Sequence, residues 1–239
     1  MRQSIFAINY NDTGLGNSAM ASIKLLGLRI SAYTRIARLA LEEKEVDYDL
    51  EEVDIFADSG PPAEYLAHNP FGTIPYLMHG EFGLYETAAI CRYIDETFPG
   101  KKLQPQISVK RARMNQIIGI LDNHTYRPMV WDVYVQRIVV AGSGAQADES
   151  LIAAALPTIH SVLQQLDMWR EEDEFLVGDS ISLADLHAYP MLRYFIETEE
   201  GASMLNSFPR LQQWLLQMQT RPSVSATSFH WASDAVDGF

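Results

Sequence analysis

The chain is short of cysteine, of basic side chains and of long apolar runs. Cys91 is its single cysteine among 239 residues, which excludes an internal disulfide framework and fits a reducing, cytoplasmic compartment. It lies in Ala-Ala-Ile-Cys-Arg-Tyr-Ile, a helical pattern with Ile90 and Ile94 beside it, and reads as a small structural hydrophobe. No segment has the roughly 18 unbroken apolar residues that a membrane-spanning helix needs. Within the first 20 residues the only apolar run, Ile5 to Ile8, is too brief for a secretion signal. Lys and Arg number 18 against 31 Asp and Glu, a formal net charge of -13. Nucleic-acid backbones and anionic membranes are recognised by clustered lysine and arginine, so both partner classes are excluded. The histidines His68, His79, His124, His160, His187 and His230 share no spacing that sets two on one helix face, so no metal site is expected. Internal repeats, heptads and low-complexity tracts are absent as well.

What is present concentrates in two segments. From Asn69 to Thr87 the sequence joins a proline turn, a short strand Tyr76 to Met78, a tight turn at Gly80 and a helix start carrying an acid and a hydroxyl, Glu86 and Thr87. A cis Ile74-Pro75 bond would present the preceding backbone N–H and C=O to a ligand. The unpaired N–H groups of a helix start suit a ligand carboxylate. Together these form the layout of a small-peptide site. Upstream, Ile23 to Leu28 reads as an apolar strand, and Ala32 to Lys44 as a helix turning Tyr33, Ile36, Leu39, Ala40 and Leu41 toward a core. Ser31 stands between them. It has two readings: an N-cap accepting a backbone N–H, or a hydroxyl that serves a ligand. Glu86 and Thr87 are equally ordinary at a helix start, and Pro75 equally ordinary at the opening of an edge strand.

As a set, these residues resemble the glutathione-binding half of the soluble glutathione transferases. The run Ser-Ala-Tyr-Thr-Arg-Ile-Ala-Arg-Leu-Ala-Leu-Glu-Glu-Lys from Ser31 is similar to the first helix of the serine-type members, the phi, tau, zeta and theta-like classes. The resemblance extends from about Ile23 to about Pro222. It implies that Ser31 is the catalytic serine, that Ile74 and Pro75 hold the cysteinyl part of glutathione, and that Glu86 and Thr87 hold its γ-glutamyl end. A free thiol has a pKa of about 8.5, and a donated hydrogen bond beside a helix N-terminus lowers it by favouring the thiolate. The nucleophile then belongs to the ligand. Two departures concern the glycine end of glutathione. Thr73 stands where many relatives have lysine or glutamine, and Gly60-Pro61-Pro62-Ala63 lacks the basic residues of several classes. Arg29 is the nearest cation in sequence that could compensate, whereas Arg35 and Arg38 read as solvated or salt-bridged helix residues.

The organisation expected is an α/β unit plus an all-α one. An irregular extension over 1–20, with Met20 as an alternative start, precedes a thioredoxin-like glutathione-binding domain over 21–98. Its order is strand, helix, a half-exposed strand from Val46 to Val53, helix, hairpin, helix. A linker over 99–106 leads to a helical domain over 107–239, with long helices near Ser108 to Val140 and Glu149 to Trp169. Ser182 and Asp185 form a capping box with Ile181 and Leu186 as its hydrophobic staple, a structural assignment that removes Ser182, Asp185 and His187 from any catalytic triad. The tail after Ser223, with Phe229, Trp231 and Phe239, reads as an aromatic strap over the helical domain. A small hydrophobic electrophile is expected against the face Arg113, Ile117, Ile120, His124 and Arg127. The resemblance implies a homodimer that conjugates the glutathione thiolate to that electrophile. A glutathione-dependent lyase, reductase or dehalogenase on the same site, and a non-catalytic binding module of the same fold, are the alternatives.

Overall fold

The computed structural model describes residues 22–170 and 172–229. Its first part is a four-stranded sheet of order β2-β1-β3-β4, built from β1 (Ile23–Leu26), β2 (Asp49–Glu51), β3 (Tyr76–His79) and β4 (Phe82–Tyr85). β1 runs parallel to β2 and antiparallel to β3, and the β3–β4 hairpin pairs Tyr76 with Tyr85. Side chains alternate between the two faces of a strand. Leu25 and Leu77 therefore enter the large core, while Leu26 and Tyr76 join a smaller cluster with Leu28, Val53, Tyr65 and Ile74. Helices α1 (Ala32–Glu43) and α3 (Thr87–Thr97) pack together against the large core, and α2 (Ala63–His68) contributes Tyr65 to the smaller one. This is a thioredoxin-like unit followed by a helical one.

The extended structure is shorter than the sequence pattern suggests. β2 occupies only Asp49–Glu51 of the stretch from Val46 to Val53. The reason lies in its partner: β2 pairs with Lys24 to Leu26, and β1 ends where Gly27 turns toward α1. A Cβ at Gly27 would collide with the Thr34 side chain, so glycine lets the helix start close against the strand end.

The helical part begins with α4 (Ser108–Ile120), which runs on through two wide-turned π-helical segments, Leu121–Thr125 and Arg127–Val140. It continues with α5 (Glu149–Arg170), α6 (Leu183–Phe195), α7 (Glu199–Leu205), α8 (Pro209–Gln219) and α9 (Pro222–Ala226). No strand follows β4 among the described residues. At the start of α6, Asp185 reaches back to accept from the Ser182 N–H and hydroxyl, each at 2.8 Å, and takes the Trp214 indole N–H as well. The capping box is structural: Asp185 is fully buried and wholly engaged.

Arg35 and Arg38 are not solvated. Both are buried, because α1 is covered on its far side by the end of the chain. The Arg35 guanidinium donates to Val224 O and the Thr227 hydroxyl and lies 5.2 Å over the Tyr189 ring. Arg38 donates to Ala226 O and to the Tyr48 hydroxyl. Burial pushes the Arg35 pKa down, and the charge is retained on these acceptors. At the C-terminus of α1 a buried ion pair, Lys44 with Asp95 at 3.3 Å, ties α1 to α3 and, through Lys101 O and the Leu103 N–H, to the segment that follows. Residues 1–20 and the tail positions Trp231 and Phe239 lie outside the described residues.

Candidate active site

Ser31 is the N-cap of α1, extended at φ -75° and ψ 126°, and its Oγ accepts the Thr34 N–H at 3.2 Å. Its hydroxyl proton is donated to no described residue. The loop before it is fixed from the helical part, where the Tyr194 hydroxyl of α6 donates to Ile30 O at 2.6 Å. Across from Ser31 the Ile74-Pro75 peptide is cis. The turn leading into it is pinned by Tyr65 Oη and Asn69 Nδ2, which donate to Thr73 O at 2.5 and 2.7 Å. Glu86 precedes α3 with φ +71°, the left-handed region that non-glycine residues rarely occupy, and its C=O accepts from the Ala89 and Ile90 N–H groups. Thr87 follows as the first residue of the helix.

Ser31, Thr73, Ile74, Pro75, Glu86 and Thr87 line one cavity of about 700 Å³. Segments more than 50 residues apart thus meet on a single surface. Its other wall is apolar and aromatic: Ile55 and Phe56, then Tyr126, Val130, Trp131 and Tyr134, with Phe229 from the end of the described chain. Arg29 is not part of this lining. It is half-exposed and pairs at 3.0 Å with Glu52, the residue after the edge strand β2.

The face expected to receive the electrophile is also elsewhere. None of Arg113, Ile117, Ile120, His124 and Arg127 lines the cavity. Ile117 is in the core, Arg113 lies over the Trp169 ring at 4.2 Å, and Arg127 is an exposed partner of Asp132. The lining row is Asp122, Tyr126, Val130, Tyr134 and Val139, a repeat of four and then five residues. Widening the helix to i→i+5 bonds stretches the repeat beyond the 3.6-residue period used for the sequence reading.

Sequence reasoning missed Tyr33 and Asp122. Tyr33 packs against the core as expected and lines the cavity as well, with its ring 4.5 Å from that of Tyr126. Burial raises the Tyr33 hydroxyl pKa, as do the nearby Asp122 carboxylate and Tyr126. The Asp122 carboxyl is raised too, first by burial; its hydrogen bond with Tyr33 works the other way, and Glu86 adds to the rise. A break in the 3.6 period, an acid followed at four-residue steps by tyrosines and valines, was the only trace of this wall in the sequence. Cys91 is buried, its thiol directed at Ile36 O at 3.9 Å, and burial pushes its pKa up. Among the described residues no group of three or more His, Cys, Asp or Glu is arranged to hold a metal, and no helix is long and apolar enough to cross a membrane.

Residues 30–97 match the family described as glutathione S-transferase, N-terminal domain, and residues 128–222 match glutathione S-transferase, C-terminal domain. The crystal structure of glutathione transferase F7 from Populus trichocarpa is 30% identical, covering 86% of this chain and 97% of that one, with a TM-score of 0.75. The chain belongs to the glutathione S-transferase family. Glutathione S-transferase F13 of Arabidopsis thaliana is 29% identical over 204 residues, 84% of this chain and 93% of the relative. Glutathione S-transferase I from mais, solved with an atrazine glutathione conjugate, has a TM-score of 0.75 at 27% identity, covering 87% of this chain and 96% of that one. These relatives are plant transferases of the serine-type phi class, the branch that the Ser31 segment resembles.

Proposed function

We propose that this protein transfers the thiolate of glutathione to an apolar, aromatic electrophile. The observation that carries the reading is the meeting of Ser31, the Ile74-Pro75 turn and the Glu86-Thr87 helix start around one cavity with an aromatic wall. Ser31 donates its free hydroxyl proton to the glutathione sulfur while Oγ keeps the Thr34 N–H. The N-terminus of α1 adds a positive partial charge, worth about 0.3 to 1 kcal/mol in an exposed setting. Both favour the thiolate over the thiol, so the guest arrives at its carbon partner already deprotonated. The sulfur lone pair forms the C–S bond, and the electrons leave with the displaced group or move onto the activated acceptor.

Ile74 and Pro75 hold the cysteinyl segment, and Glu86 and Thr87 take the γ-glutamyl end. Thr73 supplies no positive charge for the glycine carboxylate, and among the described residues no lysine, arginine or histidine lines the cavity. Modest glutathione affinity follows. A cytoplasmic homodimer belongs to the same reading, supported by the lone cysteine and by exposed Phe71, Phe82 and Val109; light scattering of the purified protein tests the stoichiometry.

The deciding experiment has two arms: calorimetry of glutathione binding, and conjugation rates with a chloronitroarene for wild type and Ser31→Ala. Losing the oxygen is expected to lower kcat/KM by about 10- to 1,000-fold, as for removal of one transition-state donor. An unchanged rate removes Ser31 from the chemistry. Glutathione binding without turnover across an electrophile panel would make the protein a binding module.

A further inference from the structure

The lining of the cavity has an unusual charge balance. Among the described residues its charged side chains are Glu86 and Asp122, both acidic, and aromatic rings line the same cavity. Asp122 projects from the π-helical segment Leu121–Thr125 at the head of the row that continues through Tyr126, Val130 and Tyr134. Its Oδ1 is shut off from solvent and has no hydrogen-bond partner. A buried acceptor left in this state carries a desolvation cost that a matching donor removes. The nearest cation on its own side, Arg92, is held by Ala88 O and the Asn115 side chain, so it does not satisfy that oxygen. Burial, and then Glu86, disfavour the Asp122 charge until a positive partner arrives.

The geometry points to Asp122 as a specificity-determining residue that selects electrophiles bearing a protonated amine on an aromatic body, and that rejects anionic ones. This rests on the transferase reading and names the second substrate more closely. The tilted Tyr33–Tyr126 pair and the edge-on Phe56–Trp131 pair offer ring faces beside the carboxylate row. Ring faces attract cations, and the attraction grows when water is excluded. An ammonium group seated in the cavity would set its positive charge beside the Asp122 carboxylate. An anionic substituent in the same position would meet two carboxylates and, among the described residues, no counter-charge. The α-ammonium of glutathione carries the same chemistry; Glu86 and Thr87, at the start of α3, are the groups assigned to that end.

Three aryl isothiocyanates of one scaffold test the assignment, carrying dimethylaminomethyl, isobutyl or carboxymethyl in the para position. The first two are isosteres that differ by one positive charge and one N–H. Conjugation with glutathione adds the thiolate sulfur to the isothiocyanate carbon, and the nitrogen takes a proton from water, giving a dithiocarbamate. Wild type is expected to prefer the cationic compound over its isobutyl isostere by about tenfold in kcat/KM, the scale of one good polar contact, with the carboxymethyl compound slowest. Asp122→Asn should bring the cationic-to-neutral ratio close to one, and Asp122→Ser serves as the second variant if the first does not fold.

A wild-type ratio at or below one, or a ratio unaffected by the substitution, overturns the proposal. A raised glutathione KM common to all three compounds with the ratio intact does so too, by giving the carboxylate to glutathione itself. Should no compound turn over, the transferase reading fails separately. Calorimetry of N,N-dimethylbenzylamine against isobutylbenzene then decides: amine binding that weakens about tenfold in Asp122→Asn upholds the selectivity, and binding that is absent or unchanged by the substitution rejects it.

Discussion

At Ser31 the cap role and the chemical role use different parts of one hydroxyl. The oxygen lone pair takes the Thr34 N–H and the proton stays available, so the two readings of the sequence are compatible. Glu86 shows the opposite economy. Its backbone sits at φ +71° although it is not glycine, a conformation that costs about 1 to 3 kcal/mol and persists where a site needs it. Replacing Glu86 with Gly is expected to raise stability by about 1 kcal/mol through relief of that strain, while glutathione affinity falls. Urea unfolding and calorimetry on the same variant check both halves, and a variant no more stable than wild type would mean that the backbone there is relaxed. Ser31, Pro75, Glu86 and Thr87 were legible because each marks a local event, a cap, a turn or a helix start. Tyr33 was not: its place in a helical pattern gives the same apolar signal whether it faces a core or a cavity.

Among the elements, the join between α1, α3 and the segment after it depends on Lys44 and Asp95, both almost wholly buried. Removing one partner of a buried pair leaves the other charge uncompensated, at a cost of about 3 to 5 kcal/mol. Lys44→Met should therefore lower the unfolding free energy by that amount, read from the urea midpoint at constant slope; a loss below about 1 kcal/mol would show the pair to be dispensable. The succession of elements in the first unit, both long helices and the capping box at Ser182 followed from sequence periodicity and turn chemistry. The cavity wall did not, because the π-helical turns from Leu121 to Val140 replace the period on which the face was read. Arg35 and Arg38 eluded the reading for a different reason: apart from Tyr48, their acceptors lie 188 to 192 positions away, at α9 and just beyond it, and no local pattern encodes such a partner.

For the molecule as a whole, acid should be the weak side. His187 is fully buried in α6, its Nδ1 bonded to Leu183 O at 2.8 Å while Nε2 has no partner among the described residues. Burial lowers its pKa from 6.5 to about 4. The unfolded chain therefore binds a proton that the folded chain refuses, and the stability His187 contributes above pH 6.5 is lost as pH falls toward 4, about 3 kcal/mol in total. Glu43 adds in the same direction. Burial alone would raise its carboxyl, but hydrogen bonds from Arg221 and Ser223 hold it below the ordinary range, so its contribution disappears when it protonates at still lower pH. Urea unfolding between pH 7 and 4 should show a steady fall, and His187→Asn, which keeps a donor near the Nδ1 position, should flatten the part between 6.5 and 4. Identical slopes in the two proteins would assign the acid sensitivity to other groups.

The grip of Arg35 and Arg38 on α9 has a consequence for how the protein is made. Helix α1, which opens at Ser31, leaves the ribosome long before α9, where its guanidinium groups find acceptors 188 and 189 positions later, and Phe229 lines the cavity just after them. Until residues 224–227 have emerged these two guanidinium groups stay in water and the face of α1 that they occupy stays open, so the cavity is completed only once that distant segment has docked.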